Sequence, residues 1–431
     1  MPRVAIIGAG PSGLFAAAEL LKQPDVLVDV VDALPTPFGL VRYGVAPDHP
    51  KIKTVTATLA KVFADPRATF LGNVDYGTHL TLADLRRLYD AVVFATGAPL
   101  ARSLGIPGED LAGSYAAADL VSWYNGHPDA GCAFSTSAAS IAIIGAGNVS
   151  LDIARILLKG GRGLSGTDIP GHVSDMLDRS RMTDIRIIAR RGVADVRFSP
   201  AVLLELERLD YTDLIVDSRD VILRQDQARY AEDRAVAQRV DIFRRWAGHA
   251  GHAAPRRLSF MFHRSPIEIG GSTRVESLRL RMNGHPPETA RTEELNVQAV
   301  VRSIGYLGRQ LAGIAFDPAS GTVPNDGGRV VPGVYVTGWI KRGSSGVIGS
   351  NKACAAETVR NLLADLGNAP RQVRDGAGDA LAALLERRGR RVVTWRGWTK
   401  IDAAEVALGR EHGRTRTKIC DPPRLVEIAA S

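Results

Sequence analysis

Two glycine-rich turns constrain the fold of this chain more than any other feature. The first follows a short apolar run at residues 4–7 and has the sequence GAGPSG (residues 8–13), after which strong helix formers begin. In a strand–turn–helix unit of this kind, Gly8, Gly10 and Gly13 permit a tight turn, a close approach of a pyrophosphate and close helix–strand packing. The phosphates then lie at the positive N-terminus of the helix. This pattern predicts a dinucleotide-binding turn.

An acidic residue distinguishes the ligand of this first turn. The next strand pattern, residues 26–31, ends at Asp32, which follows Gly13 by 19 positions. A carboxylate at this place accepts hydrogen bonds from the hydroxyl groups of an unmodified ribose. The alternative interpretation is an ordinary surface aspartate.

The second turn has a different strand end. It has the sequence GAGNVS (residues 145–150), follows the apolar run 141–144, and carries Ser150 at its third position instead of glycine. The following strand pattern ends at Arg190 and Arg191. Guanidinium groups bind phosphate through charge-assisted bidentate hydrogen bonds, so this pair favours a ribose with a 2′-phosphate over a merely solvated strand end. The two turns together predict FAD at the acid-terminated site and NADP(H) at the arginine-terminated site.

The composition is that of an ordinary globular protein. The chain has 431 residues, 45% of them hydrophobic and 23% charged, which predicts about two to three domains. No apolar run approaches the roughly 20 residues of a membrane-spanning helix. Cys132, Cys354 and Cys420 lie far apart without a CxxC motif, which excludes a redox dithiol, an iron–sulfur cluster and a thiolate metal site. Such sparse cysteines and an N-terminus without a targeting pattern predict a cytoplasmic protein.

Strand and helix patterns alternate along the chain, which predicts an α/β protein with doubly wound, mostly parallel sheets. Two further strand patterns end at Thr-Gly pairs, at residues 96–97 and 337–338. We expect the later one to join the sheet that is built on the first turn, so that one Rossmann-like nucleotide-binding domain is inserted into another. The expected boundaries are 1–103 plus 332–431 for the FAD-binding domain, with a C-terminal extension from about 381, and 104–331 for the NADP-binding domain.

The segment after Asp32 resembles a known family. Residues 35–53 (PTPFGLVRYGVAPDHPKIK) are similar to the flavin-lining loop of the adrenodoxin-reductase-like ferredoxin–NADP reductases, including their bacterial members. The similarity continues through GEDL (108–111), GAGNVSLDIARIL (145–157), SPIEI (265–269), VRSIGY (301–306) and GWIKRGSSGVIGSNK (338–352). It spans nearly the whole chain. It implies a glutathione-reductase-like arrangement of the two nucleotide-binding domains.

The resemblance also implies which residues contact the two cofactors. For FAD they are Gly8, Gly10, Ser12, Gly13, Asp32, Leu40, Val74, Trp339, Gly346, Val347 and Ile348. For NADP(H) they are Arg102, Gly145, Ala146, Gly147, Asn148, Val149, Arg190 and Arg191, with Gly346 close to the nicotinamide. A backbone N–H at a helix start near Gly346 can face the electron-rich edge of a reduced flavin.

His49 and Glu205 resemble the polar pair beside the stacked rings in that family. A histidine titrates near neutral pH and can hold or move a proton while the flavin is reduced. Hydride transfer itself requires no acid or base, so we expect both side chains to orient groups and tune the potential. The alternatives are a hydrogen-bonded structural histidine and a solvated or capping glutamate.

The net charge of +8 is concentrated in two basic windows. Residues 224–264 contain nine arginines against four carboxylates, and residues 387–418 contain ten basic side chains against three. Ferredoxins and flavodoxins are acidic, so an arginine-rich face would steer their encounter. We expect this face at Arg239, Arg244, Arg245, Arg256 and Arg257. The alternative is a solvated helix; nucleic-acid binding is disfavoured because no recognition motif accompanies the charge.

These features predict an NADPH-dependent FAD enzyme that passes electrons to a ferredoxin or flavodoxin and so supplies a cytochrome P450 or another oxygenase. A flavin-dependent oxygenase acting directly on a small substrate is the alternative enzyme class, although no motif for its substrate cavity is visible. A flavin-binding sensor without turnover is the third possibility. An NADPH-dependent reductase would show rapid bleaching of the flavin by NADPH, and a sensor without turnover would not.

Overall fold

The computed structural model describes residues 1–131, 134–221, 233–248, 254–283, 291–368 and 377–431, so Cys132 and part of the first basic window lie outside it. Its strands are β1 (Arg3–Ile7), β2 (Leu27–Val31), β3 (Ala68–Leu71), β4 (Ala91–Phe94), β5 (Leu100–Ala101), β6 (Ser114–Ala116), β7 (Ser140–Ile144), β8 (Asp184–Ile188), β9 (Thr212–Val216), β10 (Arg256–Met261), β11 (Arg264–Gly270), β12 (Ser277–Met282), β13 (Thr292–Asn296), β14 (Ala299–Arg302), β15 (Tyr306–Leu307), β16 (Arg329–Val331) and β17 (Val334–Val336). Its helices are α1 (Pro11–Leu20), α2 (Leu40–Tyr43), α3 (Pro50–Lys53), α4 (Val55–Ala60), α5 (Leu82–Leu88), α6 (Ala117–Tyr124), α7 (Asn148–Lys159), α8 (Gly171–Asp178), α9 (Pro200–Leu206), α10 (Ser218–Val221), α11 (Arg234–Ala247), α12 (Trp339–Arg342), α13 (Ile348–Asn368), α14 (Ala377–Arg387), α15 (Trp395–Glu411) and α16 (Pro422–Ala430). None of the helices in the described ranges is both long and apolar enough to span a bilayer.

The chain forms two compact units. Unit 1 comprises Met1–Leu100, Asn125–Pro128 and Tyr306–Ser431, and unit 2 comprises Ala101–Tyr124 and Asp129–Gly305. Each unit is built on a six-stranded, largely parallel sheet with helices between successive strands. The expected fold class, two doubly wound α/β units, is confirmed.

In unit 1 the strand order is β16-β17-β4-β1-β2-β3. The neighbouring strands are parallel apart from the antiparallel pair β16–β17. The strand β1 is apolar on both faces, since Val4 and Ile6 pack into one core and Ala5 and Ile7 into another. The chain continues to β2 on one side of β1 and reaches β4 on the other. The carboxyl end of β1 is therefore a switch point, where doubly wound sheets bind their ligands.

In unit 2 the strand order is β6-β14-β7-β8-β10-β9, and all of these pairs are parallel. The strand β7 lies between β8 and β14, so its carboxyl end is the corresponding switch point. The antiparallel sheet β11-β12-β13 belongs to the same unit. Its Leu278 and Leu280 pack in one core with Ala142 and Ile144 of β7, which stabilises the strand that precedes the second turn.

The boundaries of the units differ from the expected ones. The chain returns to unit 1 at Tyr306 and not at residue 332. The reason is that Leu311, Ile314 and Val323 lie in the same apolar core as β1 and β4, although no regular pattern marks them in the sequence. The short segment Asn125–Pro128 also belongs to unit 1, which no sequence pattern predicted.

Candidate functional site

The turn after β1 requires two of its three glycines for folding and leaves space beside the other. Gly8 has φ = 115°, and a Cβ atom there would lie 2.5 Å from Ala95 O. A Cβ atom at Gly13 would lie 1.9 Å from Gly8 O. Gly10 has φ = −75°, and the atom nearest to its Cβ would be Gly39 Cα at 4.0 Å. The fold does not require a glycine at position 10, and the space that it leaves fits a pyrophosphate.

The turn after β7 leaves the same space in unit 2. Gly145 has φ = 133°, and a Cβ atom there would lie 2.0 Å from Ser303 O. A Cβ atom at Gly147 would meet nothing within 4 Å in the described part of the chain. Ser150, at the position of the third glycine, is buried, and its hydroxyl donates to Gly145 O at 2.8 Å. This hydrogen bond holds the start of the helix against the turn. In both turns the first glycine is required by the surrounding backbone, and the second glycine leaves open space.

Asp32 extends from the end of β2 to the first turn. Its Oδ2 accepts the Ala9 N–H at 2.6 Å, and its Oδ1 accepts the Leu34 N–H at 2.9 Å. Burial raises the pKa of this carboxyl to about 6, and the two backbone hydrogen bonds limit the rise. Each oxygen keeps a lone pair for a further donor, so the carboxylate is oriented to accept the two hydroxyls of a ribose.

Arg190 and Arg191 follow β8 directly and are exposed. Because β8 is parallel to β7, they lie at the sheet edge that also carries the second turn. Their backbone carbonyls accept hydrogen bonds from the Asn283 side chain at 2.7 Å and the His263 N–H at 3.4 Å. Within the described ranges neither guanidinium forms a hydrogen bond or an ion pair. Two exposed arginines therefore lie at the same sheet edge as this open turn.

Residues 35–53 lie against the first turn. We call them the flavin-lining segment, after the loop of the reductase family that they resemble. Phe38 has φ = 82°, and its N–H donates to Ala9 O at 2.9 Å. A Cβ atom at Gly39 would lie 3.0 Å from Gly10 Cα, so the two backbones approach closely. Leu40 follows as the first residue of α2 and is 46% exposed.

Val74 reaches the same place from another loop. Its N–H donates to Asp32 O at 2.8 Å, and its side chain is buried. The preceding Asn73 has φ = 65°, a left-handed conformation that asparagine tolerates better than most residues, and its N–H donates to Leu34 O at 3.0 Å. The structure therefore brings Val74 next to Asp32.

The start of α13 is an exposed loop of unit 1. Gly346 has φ = 82°, Val347 is 73% exposed, and Ile348 begins the helix. Trp339 donates from Nε1 to Ser345 O at 3.1 Å, which fixes the indole to this loop. An open cavity of about 600 Å³ adjoins it and is lined in part by Gly346. The predicted contacts Trp339, Gly346, Val347 and Ile348 are therefore neighbours in the structure.

Sequence reasoning missed Asn351, which links Ser12 to this loop. The Ser12 hydroxyl donates to Asn351 Oδ1 at 3.0 Å, and Arg342 donates to the same oxygen at 2.7 Å. A Cβ atom at Gly338, where φ is 75°, would lie 2.1 Å from Ser12 Oγ. The first turns of α1 and α13 are thereby held together. The only signal in the sequence was the position of Asn351 within a stretch that resembles the family.

His49 and Glu205 have different local surroundings. His49 precedes α3 in unit 1, is partly buried, and donates its N–H to Ala46 O at 3.0 Å. Glu205 lies in α9 of unit 2 with its side chain 35% exposed, 3.5 Å from Arg155 Nη1. Arg155 is 1% exposed and also pairs with Asp152 at 2.8 Å. Glu205 thus helps to neutralise a buried arginine that the sequence did not reveal as its partner.

Three of the remaining predicted contacts, Ala146, Asn148 and Val149, lie around the start of α7. Ala146 O accepts the Arg197 N–H at 2.9 Å, and Asn148 Oδ1 accepts a backbone N–H at 2.8 Å. Val149 belongs to the first turn of α7, and Arg102 lies in the segment that opens unit 2. Arg197, which sequence reasoning missed, is a further exposed arginine beside this turn.

The five arginines expected to form a docking face divide into two groups. Arg239 and Arg256 donate to backbone carbonyls of unit 2, the former at 3.5 Å, and so support the unit itself. The side chains of Arg244, Arg245 and Arg257 are 45%, 55% and 54% exposed. Their nearest carboxylates lie at 3.8, 3.1 and 3.8 Å, so these three are surface ion pairs that remain accessible to a partner.

Comparisons with known proteins agree with this geometry. Residues 2–194 match the family model described as pyridine nucleotide-disulphide oxidoreductase. The NADPH-ferredoxin reductase FprA of Mycobacterium tuberculosis (strain ATCC 25618 / H37Rv) is 42% identical over 448 residues, covering 99% of this chain and 98% of that protein. The mitochondrial NADPH:adrenodoxin oxidoreductase of Arabidopsis thaliana is 36% identical over 461 residues, covering 99% and 95%. A solved structure of M. tuberculosis FprA in complex with NADPH matches with a TM-score of 0.95, 42% identity and full coverage of both chains.

Fold and sites define a protein with two dinucleotide-binding α/β units, whose ribose-side residues are acidic in one and basic in the other. The chain belongs to the family of the FprA-type NADPH-ferredoxin reductases, to which it is similar over nearly its full length. The resemblance inferred from the residues 35–53 and 338–352 is confirmed.

Proposed function

We propose that this chain is an NADPH-dependent FAD enzyme that passes electrons from NADPH to a ferredoxin. The observation that carries this proposal is the pair of turns with spare space at Gly10 and Gly147, one beside Asp32 and one beside Arg190 and Arg191, whose guanidinium groups have no partner among the described residues. The similarity to FprA over 99% of the chain supports the direction of electron flow. The oxygenase and sensor alternatives have no comparable support.

FAD is assigned to unit 1 and NADP(H) to unit 2. Asp32 accepts the ribose hydroxyls of FAD, the Gly10 turn receives its pyrophosphate, and Leu40, Val74 and the Gly346 loop line its ring. Arg190 and Arg191 bind the 2′-phosphate of NADP(H), as set out for the second turn. When bound, FAD takes two electrons from the nicotinamide as a hydride and releases them singly. The chain binds and orients both groups and excludes water from them.

His49 and Glu205 complete the assignment as orienting residues. His49 stands near the end of the flavin-lining segment, directly before α3, and we assign it an orienting role. Glu205 acts through its ion pair with Arg155, which joins α9 to the helix that starts at the second turn. We place the protein in the cytoplasm, and a cytochrome P450 or another oxygenase consumes the electrons.

We expect the affinity for FAD to fall as the pH drops through about 6, the pKa of Asp32. Only the ionised carboxylate accepts hydrogen bonds from both ribose hydroxyls, so a proton has to leave Asp32 when FAD binds at lower pH. The dissociation constant should therefore rise by about tenfold per pH unit below the pKa. Titration of the FAD-free protein between acidic and neutral pH measures this. Asp32→Asn should bind weakly at every pH, and a flat wild-type profile would show that Asp32 does not hold the ribose.

The acidic carrier, a ferredoxin or a flavodoxin, docks on the accessible arginines at the end of α11. Arg244 and Arg245 belong to this face, and Arg257 adds a third exposed cation. Arg244→Glu together with Arg245→Glu should slow reduction of ferredoxin by about tenfold or more at low salt, because steering by opposite charge is replaced by repulsion. Ferricyanide, which needs no docking face, should be reduced at the wild-type rate.

The matched control reverses two exposed arginines of the same unit on β12, Arg279→Glu with Arg281→Glu. It changes the net charge by the same amount and leaves α11 intact. We expect nearly wild-type kinetics with ferredoxin and the same ionic-strength dependence. Equal rates for both double variants at low salt would remove α11 from the docking surface.

A panel of ferredoxins and a flavodoxin, assayed for NADPH-driven reduction at low and high ionic strength, tests the function. At least one ferredoxin should be reduced rapidly at low salt and more slowly at high salt, since the encounter is electrostatic. Tight coupling of NADPH oxidation to conversion of a small substrate, without reduction of any carrier, would instead support the oxygenase alternative.

A further inference from the structure

Three residues of the basic C-terminal window, Glu405, Arg416 and Lys418, form a largely buried ionic cluster with Arg42, and we call these four residues of unit 1 the Glu405 cluster. Glu405 lies in α15 and has no exposed surface. Its Oε1 accepts Arg42 Nη2 at 2.5 Å and the Ile419 N–H at 3.0 Å, and its Oε2 accepts Arg416 Nη1 at 2.9 Å. Burial alone would raise the pKa of Glu405, but the charge and hydrogen bonds of Arg42, together with the other donors, lower it. The carboxylate is therefore ionised.

Arg42 is the member of the cluster that belongs to the flavin-lining segment. It is 6% exposed, and its guanidinium lies 4.9 Å from the ring centroid of Tyr43 and 5.1 Å from that of Trp398. Burial alone would lower the pKa of Arg42, but the charge of Glu405 raises it. A buried ion pair of this kind contributes little net stability, whereas removal of one partner is severe. The pair is thus better suited to fixing a position than to stabilising the fold.

Lys418 fixes the backbone of the same segment. It is 4% exposed, and its Nζ donates to Arg42 O at 3.0 Å and to Asn125 O at 2.9 Å. The short helix α2 is therefore held from two sides, through the side chain of Arg42 and through its carbonyl. The segment Asn125–Pro128 is tied to unit 1 by the same lysine.

The aromatic residues of α15 continue these contacts to the dinucleotide turn. Phe38 packs edge-on against Trp395 and Trp398, with ring centroids 6.4 and 5.8 Å apart. The Phe38 N–H is the group that donates to Ala9 O in the first turn. A displacement of α15 would accordingly move Phe38, and with it the segment that leads to Leu40.

A second tie joins the C-terminal segment to the loop of Val74. Gly72 and Val393 exchange backbone hydrogen bonds of 2.8 and 3.0 Å. Arg390 donates to both the carbonyl and the side-chain oxygen of Asn73, and the Asn73 amide donates to Arg391 O at 2.8 Å. Two of the loops that are assigned to FAD in unit 1, those of Leu40 and Val74, are therefore bonded to residues from about the last tenth of the chain.

We propose that Glu405 is a positioning residue for FAD: through Arg42 it fixes the flavin-lining segment, and the part of the basic C-terminal window that surrounds Glu405 serves to hold this segment in place. The proposal rests on the proposed function, in that FAD binds unit 1. It also accounts for charge in this window, because Arg390, Arg416 and Lys418 bond to groups of their own unit. Glu405 touches no reacting atom in this account.

The test compares two acid-to-amide variants on α15. Glu405→Gln removes the buried charge with little change of shape. Asp402→Asn removes a carboxylate that pairs with the same Arg416 at 2.7 Å but is 41% exposed. FAD affinity and the fluorescence of bound FAD are measured by titration of the FAD-free proteins. Glu405→Gln should weaken FAD binding by about tenfold or more, because a small misplacement of a binding loop has effects of this size. Its bound flavin should also be less quenched, while Asp402→Asn should behave as wild type.

A cofactor-independent measurement separates this proposal from the proposed function. Hydrogen exchange of the Phe38 N–H in FAD-free protein should be faster in Glu405→Gln than in Asp402→Asn, and NADP⁺ affinity should be unchanged in both. If the wild type held no FAD, the proposed function would fail, and the exchange at Phe38 would still decide whether Glu405 fixes the segment. Unchanged FAD affinity and unchanged exchange in Glu405→Gln would overturn the proposal.

The double variant Arg42→Met with Glu405→Gln covers the case in which Glu405→Gln does not fold. It leaves only Arg416 opposite the amide, and Arg416 is partly exposed and keeps its ion pair with Asp402, so the double variant should fold where the single variant does not. We expect it to bind FAD more weakly than wild type, because Met cannot hold the segment through a hydrogen bond. Wild-type FAD affinity in the double variant would contradict the positioning role.

Discussion

Replacing Arg190 and Arg191 together by alanine should weaken NADPH binding by about 2–4 kcal/mol, because two charge-assisted contacts to the 2′-phosphate are lost. This corresponds to an increase of roughly 30- to 1,000-fold in the dissociation constant. The size of the effect follows from the state of the two guanidinium groups, which have no other partner among the described residues. Their loss should leave the folded unit 2 nearly unperturbed. Titration of the double variant and the wild type with NADPH and NADP⁺ measures the loss of binding free energy.

NADH is the internal control for this experiment, since it lacks the phosphate and should bind the double variant as it binds the wild type. A matched control variant is Arg179→Ala with Arg181→Ala, which removes two exposed arginines just before β8 instead of just after it. It should bind NADPH normally. Equal losses for NADPH and NADH would refute the phosphate assignment and indicate general damage to the second turn.

The second large effect distinguishes the glycines of the first turn. Gly13→Ala should destabilise the FAD-free protein by several kcal/mol, because its Cβ atom would lie 1.9 Å from a backbone oxygen that cannot move away. Gly10→Ala should change the stability of the FAD-free protein by only about 1 kcal/mol, the usual cost of alanine at a helix N-cap. It should nevertheless abolish FAD binding, since the methyl group occupies the space assigned to the pyrophosphate.

Urea unfolding of the FAD-free variants and FAD titration of those that fold are the two measurements. We expect Gly13→Ala to impair folding and Gly10→Ala to impair FAD binding, although the two glycines are only three residues apart. The same pair of measurements on Gly147→Ala in unit 2 should show normal stability and loss of NADPH binding. FAD binding by Gly10→Ala with wild-type affinity would mean that no pyrophosphate lies over this turn.

Much of the fold and of the candidate site could be predicted from the sequence, because the turns are local. A strand, its glycine turn and the following helix are contiguous in the sequence. The residues on either side of Gly8–Gly13 and of residues 145–150 are therefore enough to identify each turn. The acidic or basic end of the next strand, at Asp32 or at Arg190, lies within one βαβ unit of each turn. The steric roles of the individual glycines required the structure, since the atoms that a Cβ would meet, such as Ala95 O at Gly8 and Ser303 O at Gly145, lie far away in the sequence.

Contacts between distant parts of the chain were not predictable in this way. Arg42 and Glu405 are 363 positions apart, and no spacing rule connects them. The return of the chain to unit 1 at Tyr306 was expected too late, because apolar residues on irregular loops leave no period in the sequence. The engagement of Arg239 and Arg256 with backbone carbonyls was hidden for the same reason, since a cluster of arginines in sequence does not reveal which of them are already bound.

Anaerobic rapid mixing of the FAD-loaded protein with NADPH, followed by addition of oxidised ferredoxin, tests the central claim most directly. We expect the flavin absorbance to bleach on mixing and to return when ferredoxin is added, with two one-electron carriers reduced for each NADPH oxidised. A flavin that stays oxidised in the presence of NADPH, or a bleached flavin that no ferredoxin reoxidises, would contradict it.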